Sequence, residues 1–232
     1  MRFLLIRNSQ AESPGLVGEM LREHGIECQD ALALDPAGLP SHERFDALAV
    51  FGSPDSCVQL STDSPFVRVR DLIGRFIESN RPVLGVCFGG QLLAQALGAK
   101  VRRSPQPEIG CYPLKLTAAG MASPFFAGFP SPFLAAQWHS DAFDLPQGAS
   151  LLATCEACPH QAFAYRNCLA VQFHPELTAE RARQWVEEYA AELPSHRKSP
   201  AEVLQELEST HAERAALCVR LVDNFLRTIN QP

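Results

Sequence analysis

The stretch Gly85-Val-Cys-Phe-Gly-Gly-Gln91 decides how the rest of the chain is read. It follows the apolar run Pro82-Val-Leu84 and precedes Leu92-Leu-Ala-Gln-Ala-Leu97, so it joins a buried strand to a helix. Glycines two residues either side of Cys87 permit the sharp turn of a nucleophile elbow, whose serine form is Gly-x-Ser-x-Gly. Such a turn presents the sulfur at a strand end and beside a helix N-terminus, where unpaired N–H groups and the helix dipole favour the thiolate. Taken alone, the stretch also fits a small buried cysteine at the end of a strand. A segment far downstream separates the two readings. Leu169-Ala-Val-Gln-Phe-His-Pro-Glu176 is an apolar strand followed by His174 and Glu176, which lie two apart and can share one side of an extended chain. A cysteine, a histidine and an acid in this order supply a nucleophile, a general base and a group that orients the imidazole.

Working outward, Arg2 to Ile6 predicts a strand, and Ser13-Pro14 opens a helix to about His24 with Ser13 as cap, closed by Gly25. Ile26 to Leu34 contains a second strand, and Phe45 to Phe51 a third that is buried on both faces. The turn-rich Gly52-Ser-Pro-Asp-Ser56 ends it, and Ser64-Pro65 starts a helix to about Asn80. This βαβαβ alternation implies a parallel sheet covered by helices on both faces, with ligands bound at the carboxyl ends of the strands. Beyond Gly98 the apolar runs shorten, at 112–117, 132–137, 151–154, 162–165 and 169–173, and predict mixed or antiparallel strands. A helix is expected from Thr178 to Leu193, then a polar linker to Pro200. Apolar residues at 204, 207, 217, 221, 225 and 229 predict one long amphipathic helix over 201–229, either covering the sheet or meeting a partner, a second copy included. The expected organisation is a catalytic domain over 1–193, with 194–232 a linker and helix packed on it.

At 232 residues with 46% apolar and 20% charged side chains, the chain suits one full α/β core. A net charge of −6 argues against nucleic acid as a partner, and no apolar run is long enough to span a membrane. The eight cysteines are read as reduced thiols of a cytoplasmic protein. Cys155-Glu-Ala-Cys158 with nearby His160 lacks the second local pair that a structural zinc normally uses, so no metal is expected.

The motifs Phe51-Gly-Ser-Pro54, Gly85 to Gln91, Glu108-Ile-Gly110, Gln137-Trp-His-Ser-Asp141 and Gln172-Phe-His-Pro-Glu176 together resemble the class I glutamine amidotransferase family, over roughly residues 2 to 190. Within it the chain is most similar to free-standing proteins related to the amidotransferase domain of GMP synthase, some of which act as γ-glutamyl peptidases. The resemblance implies a flavodoxin-like α/β fold with a mostly parallel central sheet. It also implies Cys87 as nucleophile, His174 as base and acid, and Glu176 as orienter. An oxyanion hole is implied from the Phe88 N–H and the Gly52-Ser53 loop; the family often has a second glycine where this chain has Ser53. Gln91 and His139-Ser140-Asp141 are implied to hold the amino-acid end of a glutamyl substrate. Glu108 either sits near the pocket or is a loop carboxylate, and His139 is the alternative base, without a carboxylate at suitable spacing in the sequence. The implied chemistry passes through a γ-glutamyl thioester and calls for no metal or organic cofactor. Three functions stay open: hydrolysis of glutamine with ammonia passed to a separate synthetase subunit or released, hydrolysis of γ-glutamyl peptides or amines, and a binding protein with little turnover.

Overall fold

The computed structural model describes residues 1–191, 193 and 198–230. Strands β1 (Arg2–Arg7), β2 (Glu27–Leu32), β3 (Ala47–Val50) and β4 (Val83–Val86) alternate with helices α1 (Gly15–Glu23), α2 (Pro65–Glu78) and α3 (Phe88–Ala96). Strands β5 (Val101–Leu116), β6 (Phe133–Phe143), β7 (Ser150–Thr154), β8 (Ala162–Tyr165) and β9 (Cys168–Val171) follow, with a short α4 (Ala118–Ala122) after β5. The chain closes with α5 (Ala179–Glu188), α6 (Pro200–Ser209) and α7 (His211–Ile229). One sheet runs in the order β2-β1-β3-β4-β9-β8-β7-β5-β6. Its first half and β9 are parallel, whereas the β9-β8-β7-β5-β6 side is antiparallel.

Alternation along β1 shows why the sheet needs two helical layers. Phe3 and Leu5 pack with Val17 and Leu21 of α1 and Leu221 and Phe225 of α7, while Leu4 and Ile6 face Val69, Ile73, Leu92 and Leu93 of α2 and α3. A third apolar cluster joins Ile109 and Ala136 of the β5–β6 ribbon to Trp185 of α5 and to Val203 and Leu207 of α6.

Three sequence expectations change. Ser13 does not cap α1: Pro14 stands at its N-cap, and the Leu16 N–H donates to the Glu176 carbonyl at 3.0 Å. Because this first-turn donor is satisfied by the turn after β9, helix entry and the His-Pro-Glu segment are joined. The single C-terminal helix is two, divided at Thr210, whose hydroxyl donates back to the Glu206 carbonyl at 2.7 Å, a bond that bends a helix; Ser199 and Glu202 form a capping box at the start of α6. The apolar stripe of α7 lies on the sheet, with Phe3 and Phe225 rings 6.5 Å apart edge to face. The predicted linker falls largely on residues 194–197, which lie outside the described residues. Lastly, β5 extends over the polar stretch Arg102–Pro107, where a bulge between Arg103 and Glu108 interrupts its pairing with β6.

Candidate functional site

Strands β4 and β9 are parallel neighbours, with Val86 opposite Val171, so the residues leaving their carboxyl ends emerge together. Cys87 leaves β4 and His174 follows β9, and both line one cavity of about 470 Å³. Cys87 has φ +50° and ψ −110°, a left-handed backbone that a side chain adopts only where its surroundings impose it. Its N–H donates to the Val171 carbonyl at 2.8 Å, and its carbonyl accepts from the Gln91 N–H at 2.9 Å. A Cβ at Gly89 would stand 2.0 Å from the Val50 carbonyl oxygen, and one at Gly85 would lie 2.7 Å from that of Gly89. The glycines of the elbow are thus fixed by close backbone approach as well as by the turn. Phe88 opens α3, so its N–H has no acceptor within the helix.

His174 is held from both directions. Its backbone N–H donates to the Ala136 carbonyl at 2.9 Å, and its Nδ1 meets Glu176 Oε1 at 2.7 Å, both side chains being buried. Burial favours the neutral ring, yet the charge of Glu176 and then that of Cys87 outweigh it and hold the imidazole pKa well above its ordinary value. With Nδ1 engaged by Glu176, Nε2 is the nitrogen left for proton exchange and for the interaction with the Cys87 side chain that also raises the imidazole pKa.

Gln172 was not singled out as a site residue, although alternation along the extended chain places it with His174. Its Nε2 lies 3.6 Å from Cys87 Sγ, and its Oε1 accepts from Gln91 Nε2 at 3.3 Å. Gln91 lines the cavity, but its amide is engaged in the wall. Nε2 also donates to the Asp141 carbonyl at 2.9 Å, and Oε1 accepts from the Cys57 thiol at 3.3 Å.

His139, Ser140 and Asp141 lie along β6 on the cavity wall. Asp141 accepts from Ser56 Oγ at 2.5 Å and from Arg103 Nη1 at 3.3 Å, which ties the loop after β3 to the β5–β6 ribbon. Ser53 also lines the cavity, with its hydroxyl 3.0 Å from Asp55 Oδ2, whereas Gly52 packs against His174, whose Cε1 would lie 3.3 Å from a Cβ placed there.

Glu108 is not a loop carboxylate; it sits near the pocket, behind a residue of its wall. It lies fully buried on β5 directly across from His139, and its Oε2 meets His139 Nε2 at 3.0 Å. His139 thus has a carboxylate partner after all, supplied by the neighbouring strand, where spacing along the sequence cannot reveal it. Gln161 Nε2 donates to the same oxygen at 2.7 Å, and the Cys155 thiol donates to Oε1 at 3.2 Å. Glu108, His139 and Cys158 bring one possible ligand atom each to within 4.8 Å of one another, a grouping that counting local Cys-x-x-Cys pairs misses. The direct Glu108–His139 contact and the Cys158 thiol, which is turned to the His160 carbonyl at 3.6 Å, make this a hydrogen-bonded network as it stands. Burial pushes the Cys158 thiol up to about 12.

Sequence reading also passed over Glu12, Trp138, Trp185 and Tyr189, all of which line the cavity. No helix among the described residues is long and apolar enough to cross a membrane.

A strained cysteine at the mouth of a parallel sheet, facing a buried imidazole–carboxylate pair across one polar cavity, marks an α/β protein of the elbow type. Residues 20–190 match the family Glutamine amidotransferase class-I, and the chain belongs to that family. It is 39% identical over 198 residues to the glutamine amidotransferase-like protein YfeJ of Salmonella typhimurium, with 83% of each chain covered. It is 30% identical to a GMP synthase (glutamine-hydrolyzing) of Elusimicrobium minutum, aligned over 76% of this chain and 34% of that longer protein. Among solved structures, a glutamine amidotransferase of Thermotoga maritima superposes with a TM-score of 0.88 at 27% identity, covering 100% of this chain and 99% of that one. A glutamine amidotransferase of Methylobacillus flagellatus gives 0.89 at 26% identity, with 100% and 96% covered.

Proposed function

We propose that the protein hydrolyses a γ-glutamyl amide through a thioester on Cys87, glutamine being the simplest substrate of that kind. The Cys87 thiolate adds to the γ-carbonyl carbon, and the carbonyl electron pair moves to oxygen. The Phe88 N–H and the backbone at Gly52-Ser53 receive that oxyanion; each such donor is worth about 3 kcal/mol in a water-excluded site. Collapse of the adduct expels the nitrogen, which takes a proton from His174 and leaves as ammonia or an amine. His174 then removes a proton from water, the resulting hydroxide attacks the thioester, and glutamate and the free thiolate are released. Glu176 holds the imidazole with Nδ1 protonated and stabilises its charged form.

The single observation that carries this reading is the buried 2.7 Å His174–Glu176 pair on the same cavity as the left-handed Cys87. A second reading, hydrolysis of γ-glutamyl compounds with a larger leaving group, is favoured by the cavity. At about 470 Å³ it lies in the range of sites that hold whole small-molecule ligands. Transfer of ammonia to a synthetase subunit is the alternative fate of the product, suggested by the likeness to GMP synthases longer than this chain. Assays of glutamine and γ-glutamyl compounds with wild type and Cys87→Ala test the proposal. Glutamate release that requires Cys87 supports it; turnover that survives Cys87→Ala rejects it. Faster cleavage of γ-glutamyl compounds than of glutamine selects the second reading.

A further inference from the structure

Glu12 stands in the cavity with no hydrogen bond or ion pair to its carboxylate among the described residues, the charges of His174 and Arg181 acting on it from further off. The segment carrying it, between β1 and α1, is fixed on both sides: Asn8 Nδ2 donates to the Phe51 carbonyl at 2.7 Å, and the Leu16 N–H donates to the Glu176 carbonyl. A Cβ at Gly15, whose φ is +44°, would lie 2.1 Å from that same carbonyl oxygen, so the segment sits directly against the His-Pro-Glu turn. Fixed in this way, Glu12 is 5% exposed and lines the cavity. Its carboxylate makes no hydrogen bond or ion pair among the described residues. It lies beside Gly52, with Oε2 3.8 Å from where a Cβ of that glycine would be, and His174 Cε1 approaches the same point.

A carboxylate shut away from bulk solvent and open only to a cavity is stabilised by a donor that enters the cavity. Burial raises the Glu12 pKa to about 7. The neighbouring wall is aromatic, with Trp138 and Tyr189 half-buried and Trp185 packed behind them. Trp138 and Trp185 rings are 5.5 Å apart, Trp138 and Tyr189 5.9 Å, and Trp185 also meets His174 edge to face at 4.8 Å. Aromatic faces and a carboxylate on one cavity wall recognise an alkylammonium group, through cation–π attraction and a charge-assisted hydrogen bond. His174 is the residue assigned to protonate the departing nitrogen, so groups beside it line the leaving side of the cavity. His139, Ser140, Asp141 and Arg103 line the remainder.

We propose that Glu12 and the aromatic wall of Trp138, Trp185 and Tyr189 form a leaving-group subsite that selects γ-glutamyl amides whose departing amine bears a second, cationic amino group. This rests on the γ-glutamyl hydrolase reading above. The scissile bond and its proton transfers are those already described; the subsite only holds the distal ammonium and repels leaving groups that end in a carboxylate.

The test compares kcat/KM of the purified chain on the mono-γ-glutamyl amide of 1,4-diaminobutane, on the γ-glutamyl amide of n-pentylamine and on γ-glutamylglycine. The diamine compound is expected to exceed the alkyl amide by about tenfold or more, the range of one charge-assisted contact, with γ-glutamylglycine poorest. Glu12→Gln is expected to bring the diamine-to-alkyl ratio close to one, and Glu12→Asp to restore part of it. Equal cleavage of diamine and alkyl amides by wild type overturns the subsite while leaving the hydrolase reading intact, and so does a ratio unchanged by Glu12→Gln. The wild-type comparison decides the matter even where a variant fails to fold. Cleavage of none of these compounds, nor of glutamine, overturns both readings.

Discussion

Leu16 donates its backbone N–H to the carbonyl of Glu176 at 3.0 Å, so the first turn of α1 and the turn that carries the catalytic-type imidazole and carboxylate are one unit. That contact brings Glu12 into the cavity beside His174, and it links a segment near the start of the chain to chemistry near residue 175. Loss of the orienting carboxylate then has a defined consequence. With Glu176→Gln, His174 loses the largest influence holding its pKa up, while burial still favours the neutral ring, so its pKa falls. The pH–rate limb belonging to imidazole protonation is expected to move to lower pH, and kcat to fall by about 10²- to 10⁴-fold. Stopped assays across pH check both; an unmoved limb with full kcat assigns the orienting role elsewhere.

Stability at Glu12 runs opposite to function. Its carboxyl pKa rises from 4.5 to about 7 on folding because burial penalises the charge. A group raised in this way contributes its stability fully below the unfolded value of 4.5, and that contribution disappears as pH rises through about 7. Above pH 7 the native state therefore carries a cost of about 3 kcal/mol relative to a neutral side chain, taking 1.36 kcal/mol per pKa unit. Glu12→Gln is expected to raise the urea midpoint at pH 8 and to change it little at pH 4. A midpoint unaltered at pH 8 places the carboxylate in a better-solvated setting than the one described.

The elbow tolerates no side chain at Gly89. A Cβ there meets the Val50 carbonyl oxygen at 2.0 Å, and that oxygen belongs to a central strand that cannot yield. Gly89→Ala is expected to cost about 3 kcal/mol or more, at the upper end of overpacking effects, or to prevent folding. Thermal unfolding followed by circular dichroism measures it. Gly74→Ala is a control, since a Cβ there meets nothing within 4 Å on the α2 surface.

Glu108 and His139 form a second buried imidazole–carboxylate pair, with His139 on the cavity wall and Glu108 behind it. Removing one partner leaves the other buried and uncompensated, so Glu108→Ala is expected to destabilise by about 3–5 kcal/mol, with Glu108→Gln less severe because an amide oxygen still accepts. Denaturant titration of the two variants tests this ordering. Equal stability of Glu108→Ala and wild type removes the pair from the account of the β5–β6 ribbon.

The parts of the site that were legible in the sequence are those whose geometry is local. Cys87 is displayed by glycines within two residues of it, and His174 and Glu176 lie two residues apart, although the turn after β9 and not strand alternation brings them together. The parallel half of the sheet was legible for the same reason, since apolar strands and capped helices alternate within short windows. Glu108 as partner of His139 was not, because the pairing crosses from β5 to β6 and depends on register over a strand whose Arg102–Pro107 stretch reads as loop. Glu12 gave no signal at all. An acid between a strand and a Pro-Gly step looks solvated until tertiary contacts fold it beneath His174. The break at Thr210 was hidden by an apolar stripe that continues in phase across α6 and α7, although the Ser199–Glu202 capping box marks α6.

The most direct measurement is intact-mass and peptide mapping of protein quenched in acid during turnover of glutamine or a γ-glutamyl amide. A γ-glutamyl adduct on the peptide containing Cys87, removed by hydroxylamine and absent in Cys87→Ala, is the predicted result. Substrate consumption with no adduct in wild type, or with the adduct on another cysteine, contradicts the account.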